Sequence, residues 1–132
     1  DTRVWLGDSM GEMHAYCGAA DVAIIGGSWA RLGGQNTIEA SSVGCPVIVG
    51  PHTFNFKAVC EQAIEVGAAV RADDIEDGLQ IALEIIADPI RRKAMSIAGS
   101  LFAHSHRGAT GGTMDLITPL LRTARPRRPG ER

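Results

Sequence analysis

Three glycine-rich loops hold the polar side chains of this sequence that are best suited to bind a ligand. They have the sequences GDSMGE over residues 7–12, GGSWARLGGQNTIE over residues 26–39 and GPHTFNFK over residues 50–57. Each loop follows a short apolar run, and a parallel sheet binds its ligands at the loops that follow its strands. The three loops therefore predict a ligand site built from separate parts of the chain.

The second loop is the hardest of the three to explain by packing alone. Two glycine pairs, Gly26-Gly27 and Gly33-Gly34, bracket a short bulge that leads directly into a helix. Paired glycines lose conformational entropy on folding, so they indicate positive φ angles or the close approach of another group. The helix that follows exposes N–H groups suited to a phosphate. Glu39, one turn into it, can bridge the vicinal hydroxyls of a ribose; the alternative is a solvated or capping side chain.

Structural and ligand-binding roles both stay open in the first and third loops. Ser9 and Glu12 have the spacing of a capping box, which alone explains both residues. In the alternative, Gly11 lets a ligand approach the backbone and the Glu12 carboxylate accepts hydrogen bonds from sugar or base donors. The third loop carries polar side chains that can meet an anionic sugar, although a lone histidine more often has a structural role. These side chains are His52, Asn55 and Lys57.

Other nucleotide sites and metal sites are not indicated. No lysine follows the paired glycines, and the only lysines are Lys57 and Lys93, so a phosphate loop that hydrolyses Mg²⁺-ATP is disfavoured. No G-x-G-x-x-G pattern follows the first apolar run, so a dinucleotide site is weakly supported. The histidines outside the third loop have no ligand-like partners. The sequence therefore predicts neither a metal centre nor a cofactor.

Four short apolar runs alternate with segments of helical spacing, and these elements must position the loops. The runs cover residues 4–6, 22–25, 46–49 and 68–70. Helices are predicted over residues 11–19, 35–43, 56–66, 74–87 and 89–122, the last broken near Gly108, Gly111 and Gly112. Asp73 or Asp74 can cap the fourth helix, and Pro89 suits the first turn of the next. Continuous apolar runs are typical of strands covered on both faces, so we predict an α/β, Rossmann-like parallel sheet with helices on both faces.

The predicted sheet is thin for this class of fold. Doubly wound domains usually have five or six strands, and the chain begins with Asp1 rather than Met. We therefore expect the first strands of the sheet to be missing from this chain. An uncovered sheet edge invites pairing with another chain, which makes self-association a candidate property.

Composition and charge bound the class of protein. The chain has 132 residues, 45% of them apolar, enough to bury a core as one soluble domain. No apolar run approaches the roughly 20 residues that span a bilayer, and three cysteines without paired spacing indicate a reduced protein. Residues 1–121 hold 8 Lys and Arg against 14 Asp and Glu, whereas residues 122–132 hold 5 Arg against 1 Glu. This predicts an acidic domain over residues 1–121 and a disordered basic tail over residues 122–132.

The tail has an alternative role, since arginines near an anionic surface add attraction. Contact with anionic lipid or with a neighbouring domain is that alternative. Nucleic acid is disfavoured as a partner because the body is acidic and lacks interleaved aromatic residues.

In their order along the chain, these loops resemble the C-terminal half of the 3-deoxy-D-manno-octulosonic acid (Kdo) transferases. The resemblance runs over residues 4–66, through GDSMGE, GGS, GGQNTIE and GPHTFNFK. It implies an inverting, metal-independent GT-B glycosyltransferase of lipopolysaccharide synthesis, which moves Kdo from CMP-Kdo to the lipid A precursor. It also implies that the full-length protein acts at the cytoplasmic face of the bacterial inner membrane and that this chain holds the CMP of the donor.

The resemblance also implies site residues, position by position. The CMP-contacting residues would be Met10, Gly11, Glu12, Asn36, Thr37, Ile38 and Glu39. Additional candidate donor contacts are Gly27, Ser28, Gly33, Gly34, Gln35, His52, Asn55 and Lys57. In the family the general base, the acceptor site and the membrane association belong to the N-terminal domain. We therefore expect no catalytic residue in this chain and no turnover by the chain alone.

Two positions depart from the family pattern. Gln35 stands where many relatives have His, and Thr37 stands where many have Pro. Glutamine keeps donor and acceptor capacity but takes up no proton near neutral pH, so we expect a positional role there. Two other classes stay open: another GT-B glycosyltransferase or nucleotide-sugar epimerase domain that uses UDP-sugars, and a non-catalytic α/β binding module.

Overall fold

A computed structural model describes residues 3–123 of the chain, and its centre is a parallel sheet of three short strands. The strands are β1 (Ala23–Ile25), β2 (Val47–Val49) and β3 (Ala69–Arg71), in the spatial order β1-β2-β3. The register pairs Ile24 with Ile48 and Ile48 with Val70. All three residues of β2 are buried, as expected of a central strand with neighbours on both sides.

The described part of the chain contains six α-helices. They are α1 (Met13–Ala19), α2 (Ile38–Ser42), α3 (Lys57–Glu65), α4 (Ile75–Ala87), α5 (Pro89–Ser105) and α6 (Ala109–Thr123). Single turns of 3-10 helix follow β1 at Gly26–Ser28 and precede α3 at Phe54–Phe56. The alternation of strands and helices confirms the predicted α/β class.

Helices cover both faces of the sheet. Successive residues of β2 point to opposite faces, and each set packs in its own apolar cluster. Val47 and Val49 belong to one apolar cluster, which Phe102 of α5 also joins. Ile48 belongs to a second cluster, with Ile85 of α4 and Met95 of α5. Helix α5 therefore contributes to the packing on both faces.

The first apolar run is a correction to the predicted sheet. Val4, Trp5 and Leu6 form no strand, and their exposed fractions are 86%, 86% and 78%. An apolar run becomes a strand only where a neighbouring strand supplies hydrogen bonds and other elements cover its side chains. No described residue does either for this run, so the sheet has three strands over residues 3–123 rather than the predicted four.

The ends of the long helices follow the sequence signals. Asp74 caps α4, its Oδ1 accepting from the backbone N–H of Asp77 at 2.8 Å. Asp88 caps α5 in the same way, and Pro89 is the first helical residue. The break before α6 lies at Gly108, which has a φ of +105°. The starts of α4 and α5 are therefore set by the aspartates that precede them.

Helix α6 crosses the predicted boundary between domain and tail. It continues to Thr123 through Pro119, so the predicted tail starts within a helix. The rest of the basic tail, residues 124–132, lies outside the described residues. Within residues 3–123, no helix is both long enough and apolar enough to cross a membrane.

Candidate functional site

The largest group of predicted site residues lies around a cavity of about 390 Å³ between α1, β1 and the start of α2, here called the first cavity. Gln35, Asn36 and Glu39 line it from the α2 side. Met13 and Tyr16 line it from α1. The whole of β1 forms its wall, ending at Gly26. The cavity therefore joins polar side chains of the second loop to an apolar wall made by the edge strand.

Asn36 and Glu39 reach the cavity because of how α2 begins. The Asn36 Oδ1 accepts from the backbone N–H of Ile38 at 3.0 Å, which fixes the turn into the helix. Thr37 is fully buried, and Ile38 packs against the core. A ligand can therefore meet the side chains of Asn36 and Glu39, but only the backbone of the two residues between them.

Around Glu12, three side chains form a hydrogen-bonded cluster at the start of α1. The Glu12 carboxylate accepts from the Tyr16 hydroxyl at 3.2 Å and from the Ser9 hydroxyl. The predicted capping box is wrong, because no side chain caps α1 and Ser9 donates to the carboxylate instead of binding a backbone N–H. Gly11 has a φ of +83°, which favours glycine at this turn. Met10 is 97% exposed and lies outside the lining of the first cavity.

Gly33 and Gly34 join the second loop to the third. Their φ angles are +87° and +75°, and a Cβ on Gly33 would lie 2.3 Å from the Nδ2 of Asn55. Asn55 donates from that nitrogen to the carbonyl of Leu32 at 3.1 Å, and its backbone N–H donates to the carbonyl of Gly33 at 3.3 Å. Both physical reasons expected for paired glycines are therefore present at Gly33-Gly34, and the closely approaching group is the chain's own Asn55. The expectation is wrong for Gly26-Gly27, which have neither a positive φ nor a neighbour that would lie closer than 4.0 Å to an added Cβ.

Ser28 and Gly27 also hold loops together. Ser28 is fully buried; its hydroxyl donates to the carbonyl of Ile25 and accepts from the backbone N–H of Gly50 at 2.7 Å. The carbonyl of Gly27 accepts from the N–H of Gly34 at 3.3 Å. The bond from Gly50 ties the carboxyl end of β1 to that of β2, and the bond between Gly27 and Gly34 closes the second loop on itself. The Ser28 hydroxyl therefore has a structural use in the fold.

The third loop borders a second cavity of about 410 Å³, at the carboxyl end of β3 and the start of α3. His52 and Lys57 line it, as does Arg71, the last residue of β3. The Arg71 Nη1 donates to the carbonyl of Gly50 at 2.8 Å. Sequence reasoning missed Arg71, although a cation at the end of an apolar strand in a parallel sheet was a usable signal.

Comparison with known proteins connects this geometry to a family. No family profile matches the chain. The 3-deoxy-D-manno-octulosonic acid transferase of Bordetella pertussis is 57% identical over 114 residues, which is 86% of this chain and 27% of the relative. That of Haemophilus influenzae is 36% identical over 92% of this chain and 29% of the relative.

The chain belongs to the Kdo transferase family. It spans between a quarter and a third of the length of these two family members. Its fold is also similar to the crystal structure of the C-terminal CMP-Kdo binding domain of WaaA from Acinetobacter baumannii. The TM-score is 0.72 at 30% identity, over 76% of this chain and 53% of that chain. The α/β architecture of this chain is therefore that of a C-terminal domain of the GT-B type.

Two buried thiols respond to the charges that line the cavities. Burial raises the pKa of Cys17, which lines the first cavity, and the negative charge of Glu39 raises it further. Burial also raises the pKa of Cys60, but the positive charge of Arg71 opposes that rise. Both thiols and Cys45 are free. Within residues 3–123 no three His, Cys, Asp or Glu side chains are arranged to hold a metal ion.

Proposed function

We propose that this chain binds the nucleotide of CMP-Kdo for a Kdo transferase, with the nucleotide in the first cavity. The observation that carries the proposal is the convergence of Gln35, Asn36 and Glu39 on one cavity beside β1. Family membership supports a donor site in this part of the protein.

Each part of the first cavity suits a part of a nucleoside monophosphate. The exposed carboxylate of Glu39 can accept from two vicinal ribose hydroxyls. The amide of Asn36 keeps its two N–H donors, because only its oxygen is used at the helix start. Ile24 and Ala40 give an apolar wall for the base and the sugar ring. The cavity volume of about 390 Å³ lies in the range of small-molecule sites.

Glu12 extends this site at the start of α1. Its carboxylate is held by the hydroxyls of Ser9 and Tyr16, and Tyr16 itself lines the first cavity. A ligand that bonds to Glu12 therefore meets an oriented acceptor rather than a free side chain, which lowers the entropy lost on binding.

The complete enzyme would transfer Kdo to the lipid A precursor with inversion, at the cytoplasmic face of the inner membrane. The leaving CMP phosphate develops charge that preorganised N–H donors stabilise, and this donor side would supply them. The base that deprotonates the acceptor hydroxyl must stand on the opposite side of the sugar, so it belongs to a facing domain. This chain alone would accordingly bind donor without turning it over.

Titration with CMP and UMP tests the nucleotide site. We expect CMP to shift the amide resonances of Gly11, Asn36 and Glu39, and UMP to shift them less. Glu39→Ala should weaken CMP binding about 10-fold, because a charge-assisted hydrogen bond contributes about 1.5–3 kcal/mol. The matched control is Glu65→Ala, since Glu65 is also exposed but lies on α3 outside both cavities.

The outcomes separate the other classes of protein. Stronger binding of UMP than of CMP would indicate a domain that uses UDP-sugars. If neither nucleotide shifts these amide resonances and Glu39→Ala leaves the response to both nucleotides unchanged, the chain would be a protein-binding module. Turnover of CMP-Kdo by the 132-residue chain alone would contradict the assigned division of roles.

A further inference from the structure

The second cavity carries an excess of positive charge. It is lined by Lys57, Arg71 and His52 against a single carboxylate, that of Glu61. Glu61 lies 3.9 Å from the Lys57 Nζ, and both side chains are more than half exposed. Among residues 3–123 no carboxylate lies within 4.0 Å of the Arg71 guanidinium. The cavity is therefore electrostatically suited to an anion.

Arg71 is held in place rather than free to move. Its Nη1 donates to the Gly50 carbonyl at 2.8 Å and to the Thr53 Oγ1 at 3.3 Å, and its Nη2 donates to the same Thr53 oxygen at 3.3 Å. Thr53 is only 5% exposed, so this anchor is rigid. A guanidinium has five N–H donors, so at least two remain for a ligand. A half-buried cation that lacks an acidic partner is costly unless something else supplies the negative charge.

The position of this cation relates it to the first cavity. The first cavity runs along β1 as far as Gly26, and Arg71 is the last residue of β3, so the Gly26 end of that cavity and this cation both lie at the carboxyl edge of the sheet. Neighbouring strands are about 4.8 Å apart, which separates the ends of β1 and β3 by about 10 Å. The contact between Gly33 and Asn55 joins the loop that follows β1 to the loop that follows β2, the strand between β1 and β3. One nucleotide and one sugar ring can span that distance.

We propose that the second cavity is a carboxylate subsite in which Arg71, assisted by Lys57, binds the acid group of the sugar attached to CMP. This rests on the proposed donor-binding function. A fixed guanidinium pairs with a planar carboxylate through two parallel hydrogen bonds, which gives geometric selection as well as attraction. The subsite would therefore distinguish a sugar acid from a neutral sugar.

Calorimetric titration of the complete protein with CMP-Kdo and with CMP tests the subsite. Arg71→Gln should weaken CMP-Kdo binding about 10- to 100-fold and CMP binding less than about 3-fold. Arg71→Lys keeps the charge without the fork and should give an intermediate loss for CMP-Kdo. The control is Arg92→Gln. Arg92 forms an ion pair with Asp21 at 2.9 Å and lines a different cavity with Pro46, at the amino end of β2. This substitution should change neither affinity.

Arg71→Gln also removes bonds to Gly50 and Thr53, so a second variant guards against loss of folding. Lys57→Gln alters an exposed side chain and should weaken CMP-Kdo binding about 3-fold with no change for CMP. Equal losses for both ligands in Arg71→Gln would assign the cation to the nucleotide phosphate or to the fold, and unchanged affinities would remove it from the site. Both results overturn the subsite while the donor-binding function stands. If the unaltered protein binds neither ligand, the donor-binding function fails, and the subsite with it.

Discussion

The first cavity and the second cavity both reach the carboxyl edge of the sheet but differ in charge. Beside β1, the Glu39 carboxylate adds to the rise in the pKa of Cys17 that burial causes. Beside β3, burial raises the pKa of Cys60, while the Arg71 guanidinium acts in the opposite direction. A hydroxyl-rich ligand suits the first environment and an anion suits the second. The sheet therefore suits a ligand that carries hydroxyl groups at one end and a negative charge at the other.

The largest effect on stability is expected at the contact between Gly33 and Asn55, where the second and third loops meet. Gly33→Ala forces a Cβ against Asn55 at a φ of +87°, so we expect the free energy of unfolding to fall by about 2–3 kcal/mol. Both CMP and CMP-Kdo should bind more weakly, because the loops of both cavities shift. Denaturant unfolding measures the first effect, and titration measures the second.

Gly111→Ala is the matched control for that change. Gly111 lies inside α6 with open space around it, and its φ is not positive. Alanine should therefore stabilise the helix by about 0.5–1 kcal/mol. A Gly33→Ala protein as stable as the parent would show that the contact between Gly33 and Asn55 is not rigid.

The buried thiol of Cys45 predicts an alkaline loss of stability. Burial raises the pKa of Cys45 from 9.0 to about 11, with the charges of Cys17 and Asp21 adding to the rise. The folded state then keeps a proton that the unfolded state releases, so this contribution is complete below pH 9 and is lost as the pH rises to about 11. The free energy of unfolding should fall by about 2 kcal/mol across that window.

Comparison with Cys45→Ala isolates this effect from other groups that titrate at high pH. The variant should be less stable at pH 8, but its stability should decline less steeply between pH 9 and pH 11. Parallel pH profiles for the two proteins would mean that Cys45 has an ordinary pKa.

The smallest effects on ligand affinity are expected at two buried threonines, Thr53 and Thr37. The Thr53 hydroxyl anchors Arg71, so Thr53→Val should weaken CMP-Kdo binding about 5-fold with CMP binding unchanged. The buried Thr37 hydroxyl meets the Cys60 thiol, which is a weak hydrogen-bond partner, so Thr37→Val should leave both affinities unchanged and change stability little. Titration and thermal unfolding of the two variants side by side measure this difference. Equal effects of the two changes would remove the distinction between an anchoring and a merely buried hydroxyl.

Local signals predicted those parts of the fold that local physics decides. Asp74 and Asp88 start their helices as capping residues do, and the continuous apolar run of β2 indicated a strand covered on both faces. The run at residues 4–6 has the same composition, but a strand needs a pairing partner that its own sequence does not record. Ser9 matched a capping pattern, yet its hydroxyl found the stronger acceptor in a nearby carboxylate.

The candidate site was predictable only where it depends on short stretches of chain. Asn36 and Glu39 are close in sequence and in space, so their spacing placed them on one side of the start of α2. A local signal, a cation at the end of an apolar run, could have marked Arg71, but its partners Gly50 and Thr53 lie 21 and 18 residues away in the sequence, and no local pattern predicts those bonds. The binding roles of all these residues stay predictions until ligands are titrated.

Helix α5 has a consequence for the order in which the protein becomes folded during synthesis. It supplies Met95 to one face of the sheet and Phe102 to the other, and Gly99 lets it approach α2 closely at Ser41. Neither cluster is complete until residues 89–105 have left the ribosome, although all three strands emerge before residue 72. The nascent chain therefore leaves part of the apolar sheet exposed for the time needed to add more than 30 residues. At about 5–20 residues per second this interval lasts seconds, long enough for chaperones to bind.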